Sequence, residues 1–99
     1  MKHGGCVYIM TNKLRTVLYT GVTSDLRNRI IEHQTHLYEN SFTARYNCTI
    51  CVYYESFSRI EEAIAKEKEI KGWNRVRKNE LISAVNPDWI DLWPEIEKW

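Results

Sequence analysis

Ninety-nine residues, 43% hydrophobic and 27% charged, fit one soluble domain with a single modest core and leave no room for a second. No apolar run reaches the length of a membrane span, and the opening "MKHGGCVYIM" is too short in apolar residues for a signal peptide, so the sequence predicts a cytosolic protein. A formal net charge of +1 says little about partners; its distribution says more.

"CVYIM" (6–10) and "VLYTG" (17–21) are short, β-branched and aromatic, as strands are. The polar "TNKLRT" between them predicts an antiparallel hairpin. A helix over 24–36 follows, opened by Ser/Asp chemistry with Asp25 at its positive end. "LYENSFTARYN" (37–47) shows no period and reads as a loop, and "TICVYYESF" as a third strand. Ser58 and Glu61 have capping-box spacing for a helix running to Gly72. A further helix covers 75–85, "NP" ends it, and "DWIDLWPEIEKW" forms a tail. The fold class is therefore α+β, a three-stranded antiparallel sheet flanked by helices in the order ββαβαα. The domain spans 1–87; the Trp-rich acidic tail, 88–99, packs on it, because three tryptophans in eleven residues are costly to leave in water.

Three cysteines cannot all pair within one chain, which suits a reducing compartment. Cys48 and Cys51 form a C-x-x-C, but three residues apart in a strand they face opposite sides and do not converge on a metal. Buried thiols are the simpler reading.

Helical geometry, at about 100° per residue, exposes an anomaly in both main helices. On the first, His33 falls inside the apolar stripe of Leu26 and Ile30, and Arg29 at its edge. On the second, Glu67 and Lys71 fall in the stripe of Ile60, Ala63 and Ile64. A buried carboxylate needs a cation, a proton or a donor. Glu67 therefore forms a structural pair with Lys71 or Arg29, or opens into a cleft to hold a metal. A hairpin centred between Lys13 and Leu14 would set Tyr8 directly opposite Tyr19 on one face. Two phenols, a guanidinium, an imidazole and a carboxylate in one patch suit phosphodiester hydrolysis.

"CVYIM" followed after a short spacer by "LYTGVTSDLRNRIIEH" resembles the signature of the GIY-YIG nucleases. Val7-Tyr8 stands for the first half and Tyr19-Thr20-Gly21 for the second, with Cys6 in the first glycine slot and Gly5 just before it. The family's arginine, ten residues beyond the second tyrosine, lands on Arg29, and the position one turn on is His33. "EEAIAKEKEIK" matches the family's glutamate helix with Glu62, Ala63 and Glu67; Asn79 is the nearest candidate for a late asparagine. The resemblance covers about residues 4–85 and is closest to the small single-domain bacterial members resembling the nuclease domain of the excision-repair subunit.

The resemblance implies a divalent-metal-dependent DNA endonuclease, with repair or recombination as its setting. Tyr19 would be the general base, its phenol activated by a nearby cation or metal, and Tyr8 would orient water or share the proton. Arg29 would stabilise charge on the scissile phosphate, and His33 would hold the water or a phosphate oxygen. Glu67 would bind one Mg²⁺ or Mn²⁺.

The stretch 66–78 holds six basic residues and two acidic ones, whereas the tail from Asp88 carries four acidic residues and one lysine. Arg27, Lys71, Arg75, Lys78 and Asn79 are candidates to touch DNA, as is Arg45 with Tyr46 in the irregular loop. Trp73 is a candidate for base stacking. Two other readings compete: a nucleic-acid-binding module of the same fold with weak or no catalysis, and a partner-binding protein using the tail. The presence of Tyr8, Tyr19, Arg29, His33 and Glu67 favours the nuclease, while the small net charge weighs against it, since affinity for a phosphate backbone scales with contacts made.

Overall fold

The computed structural model describes residues 4–99; residues 1–3, where the predicted 1–87 domain begins, lie outside the described residues. Three strands, β1 (Gly5–Thr11), β2 (Leu18–Thr23) and β3 (Ile50–Phe57), form an antiparallel sheet in the order β2-β1-β3. Around it stand α1 (Leu26–Gln34), α2 (Phe42–Arg45), α3 (Ile60–Lys71), α4 (Arg75–Val85) and α5 (Trp93–Ile96). The predicted order is recovered with two short additions. α2 lies in the stretch expected to be loop, and α5 lies in the tail.

Every residue of β1 is buried, because helices cover both faces of the central strand. Cys6, Tyr8 and Met10 meet Leu26 and Ile30 of α1 and Ile96 of α5, whereas Val7 and Ile9 meet Ile70 of α3 and Ile82 of α4. The sheet thus separates an α1/α5 layer from an α3/α4 layer. Gly5 makes the second contact possible: a Cβ there would collide with Ile60 and Ala63 of α3.

Helix starts differ in detail from the sequence expectation. α1 begins at Leu26 with Asp25 as its cap, accepting from the Asn28 N–H at 3.1 Å. The capping box at α3 does not form. Arg59 occupies the cap position without a side-chain bond, and the Ser58 hydroxyl donates to Glu62 at 3.4 Å instead. α4 spans the predicted 75–85, capped by Asn74.

Asn86 is buried, and its side chain secures the descending tail. Its amide donates to the carbonyls of Val52 (3.0 Å) and Ile90 (2.9 Å), and its oxygen accepts from the Ile90 N–H at 3.1 Å. The Leu92 N–H then donates to the Cys51 carbonyl at 2.8 Å, and Ile96 inserts wholly into the core beside α1. The Tyr54 hydroxyl donates to Glu95 at 2.6 Å and its ring meets Trp99 edge-on.

The expectation that Cys48 and Cys51 face apart is corrected. Cys48 precedes β3, so strand alternation does not govern it, and both thiols share one apolar cluster with Cys6. Burial pushes the Cys48 thiol up to about 11. Among the described residues, no group of three or more His, Cys, Asp or Glu side chains could hold a metal, and no helix is long and apolar enough to cross a membrane.

Candidate active site

The connection between β1 and β2 sets the position of the two phenols. Asn12 folds it, its side-chain oxygen accepting from the N–H groups of Thr16 (2.8 Å) and Val17 (3.1 Å), while Arg15 takes a left-handed backbone with φ of 58°. The resulting register places Tyr8 opposite Gly21 and Tyr19 opposite Met10, two residues away from the expected pairing of Tyr8 with Tyr19. A shift of two preserves the face. Tyr8 and Tyr19 are diagonal neighbours with ring centroids 6.3 Å apart.

α1 supplies the other two groups from above the same face. The Tyr8 hydroxyl lies 2.9 Å from Nε2 of His33 and feels the nearby Arg29 charge. The Arg29 guanidinium also pairs with Glu32 at 3.0 Å. The His33 ring packs 5.7 Å from both phenol rings. Its Nδ1 lies 2.8 Å from the Thr43 hydroxyl at the start of α2, so the short helix closes the cluster from the side.

The environments of the groups differ. Tyr8 is wholly buried, and burial, with Tyr19 adding to it, pushes its hydroxyl well above the ordinary phenol range despite Arg29. Burial, reinforced by the Arg29 charge, lowers His33 to about 4, so the imidazole is neutral at pH 7. For Arg29, burial opposes the charge, but the Tyr8 bond, the Tyr8 and Tyr19 phenols and Glu32 outweigh it and raise its pKa. Tyr19 is only half-buried, and a run of rings leads outward from it. Phe42 stacks on Tyr19 at 5.9 Å, and Tyr46 on Phe42 at 4.7 Å, both well exposed, with exposed Arg45 beside them.

Glu67 stands in the opposite layer. It lies with Ala63 and Ile70 on the stripe of α3 that faces β1 and β2, its side chain 14% exposed, and it pairs with Lys71 at 2.9 Å. Of the two pairs considered from sequence, Glu67–Lys71 forms. Arg29 takes Glu32 as its partner instead.

The remaining candidates are dispersed. Arg75 donates to the carbonyls of Thr16 (2.9 Å) and Arg15 (3.0 Å) and to Asn79 (2.9 Å), so both Arg75 and Asn79 serve the packing of α4 against the hairpin. Arg27 reaches the Glu97 carbonyl at 3.0 Å, and Lys78 is half-buried on α4. Trp73 is enclosed rather than open for stacking: it packs on the second core, with Arg77 over its ring at 4.1 Å and Lys66 at 5.5 Å.

A family model described as the GIY-YIG catalytic domain matches residues 4–80, from the first strand into α4. The chain belongs to the GIY-YIG family. A UPF0213 protein of Staphylococcus saprophyticus is 39% identical over 70 residues, 67% of this chain and 79% of that one. The solution NMR structure of a UPF0213 protein from Bacillus halodurans superposes with a TM-score of 0.56 at 29% identity, covering 88% of this chain and 90% of that one. Membership of this family of nuclease domains implies a nucleic-acid substrate.

Two groups that contact the cluster, Glu32 on Arg29 and Thr43 on His33, escape a reading of the sequence. Glu32 could have been found from its i+3 spacing to Arg29. Thr43 carries no comparable signal, and only Ser41, a residue type that opens helices, marks the turn that presents it.

Proposed function

We propose that this chain is a cytosolic, divalent-metal-dependent endonuclease that hydrolyses DNA phosphodiester bonds, with residues 1–87 as the nuclease domain and 88–99 as its packed tail. One observation carries the reading: two strands and one helix bring Tyr8, Tyr19, Arg29 and His33 together, with Tyr19 at the open end.

Tyr19, the more exposed phenol, is placed to take the proton of an attacking water. Tyr8 is enclosed by His33 and Arg29, so it acts by holding those two groups rather than by touching water. Arg29 remains cationic and stabilises the charge that develops on the phosphate. Arg45 and Lys78 supply charge toward the flanking backbone, while Arg27, Lys71, Arg75 and Asn79 are engaged within the fold.

The donor set around Glu67 is one carboxylate, sheltered and held by a single lysine. That fits a hard cation such as Mg²⁺ or Mn²⁺, which keeps most of its waters and needs few protein ligands. When bound, the ion would supply Lewis-acid stabilisation of the leaving oxygen. β2 is an edge strand, so a nucleic-acid backbone running past it could approach the phenols on one side and Glu67 on the other.

The Glu67–Lys71 pair also favours a second reading, a DNA-binding module whose carboxylate stays closed. Incubating the protein with supercoiled, branched and single-stranded DNA, with Mg²⁺, Mn²⁺ or EDTA, separates the two. Nicking that requires the metal supports the nuclease; binding without cleavage in every arm supports the module.

A further inference from the structure

Thr43 is only 2% exposed, and its hydroxyl has two neighbours: Nδ1 of His33 at 2.8 Å and the Ser41 hydroxyl at 3.3 Å. Its backbone is fixed as well, since its carbonyl accepts from the Cys48 N–H at 2.8 Å. A buried neutral imidazole has one N–H and one bare nitrogen, and the partners decide which is which.

The direction of the chain follows from the Arg29 charge acting on the Tyr8 hydroxyl. A nearby cation favours the phenol's lone pairs and not its proton, so that proton is left for Nε2 of His33, 2.9 Å away. Nε2 is then bare and Nδ1 carries the hydrogen, which is donated to Thr43. The Thr43 proton is left for Ser41, whose oxygen also accepts the Ala44 N–H at 3.2 Å. Tyr8, His33 and Thr43 then each have a partner of the right kind.

We propose that Thr43 is a positioning residue of the site, holding His33 in the Nδ1–H tautomer whose bare Nε2 accepts from Tyr8. Through His33 it keeps the Tyr8 oxygen turned toward Arg29, and so fixes the guanidinium. The inference rests on the nuclease reading for its role in turnover, but its geometry can be tested without any DNA.

The test uses the full chain with ¹⁵N-labelled histidine, the His33 signals being assigned by their loss in His33→Gln. Wild type is expected to show an N–H-type Nδ1 and a bare Nε2; the opposite pattern overturns the proposal. Thr43→Val should mix or invert the tautomers and lower kcat by about tenfold or more with little change in KM. Thr43→Ser should restore both. An unchanged tautomer and kcat in Thr43→Val would overturn it. If Thr43→Val does not fold, the wild-type pattern and its retention in Thr43→Ser decide. A tautomer change in a protein whose wild type cleaves no DNA would uphold the positioning of His33 and bring down the nuclease reading instead.

Discussion

The phenol of Tyr8 lies across Gly21, its partner on the neighbouring strand, and fills the space a side chain there would need. The glycine of the second motif half is thus required by the tyrosine of the first. Gly21→Ala should displace a ring that is wholly buried and has nowhere to swing. We expect a loss of about 1–3 kcal/mol in stability, the usual range for overpacking, together with loss of turnover. An unchanged melting temperature would show that the ring does not occupy that space.

Arg29→Ala tests a contact made in the transition state. The Arg29–Glu32 pair is partly exposed and contributes little to stability, and Tyr8 keeps its bond to His33. The melting temperature should therefore hold while kcat falls by about a hundredfold or more. A large drop in stability with proportionate loss of activity would mark Arg29 as structural.

For Glu67→Gln, the lysine left behind is 51% exposed and stays solvated, so the stability cost should be under about 1 kcal/mol. Metal-dependent cleavage should collapse, whereas DNA binding in EDTA should persist or strengthen as a negative charge is removed. Cleavage at the wild-type rate would remove Glu67 from the site.

His33 makes stability depend on pH. Its pKa falls from an ordinary 6.5 to about 4 in the folded state, so between those values the unfolded chain binds more protons. Stability should be intact above about pH 6.5 and decline as pH falls toward 4. Denaturant titrations of wild type and His33→Gln should converge across that window. Parallel curves would show that His33 does not titrate as its burial requires.

Ile96 is wholly buried against the core that carries Tyr8. Ile96→Ala should cost about 2–5 kcal/mol, and deletion of 88–99 more. Equal melting temperatures for the full and shortened chains would show that the tail contributes nothing.

The legible and illegible parts of this fold have distinct physical causes. Tyr8 and Tyr19 share a face in the expected and the observed register alike, because side chains alternate with period two and the two registers differ by two. Glu67 stood out because a carboxylate in an apolar stripe breaks a long pattern. α2 was illegible because four residues barely complete one turn and display no period. Thr43 is hidden with it, as is the role of Arg75, whose carbonyl partners lie about sixty residues away.

The hairpin connection is clamped from afar. Arg75 grips the carbonyls of Arg15 and Thr16, and Arg15 itself donates to the Trp89 carbonyl at 3.0 Å. During vectorial synthesis the first two strands emerge well before either anchor exists. The nascent hairpin must wait, its turn held by local bonds of Thr11, Asn12 and Arg15, until the last quarter of the chain leaves the ribosome. The Arg15 and Thr16 carbonyls gain their Arg75 partner only when that segment docks, so the rigidity of this turn reports when the C-terminal segment arrives.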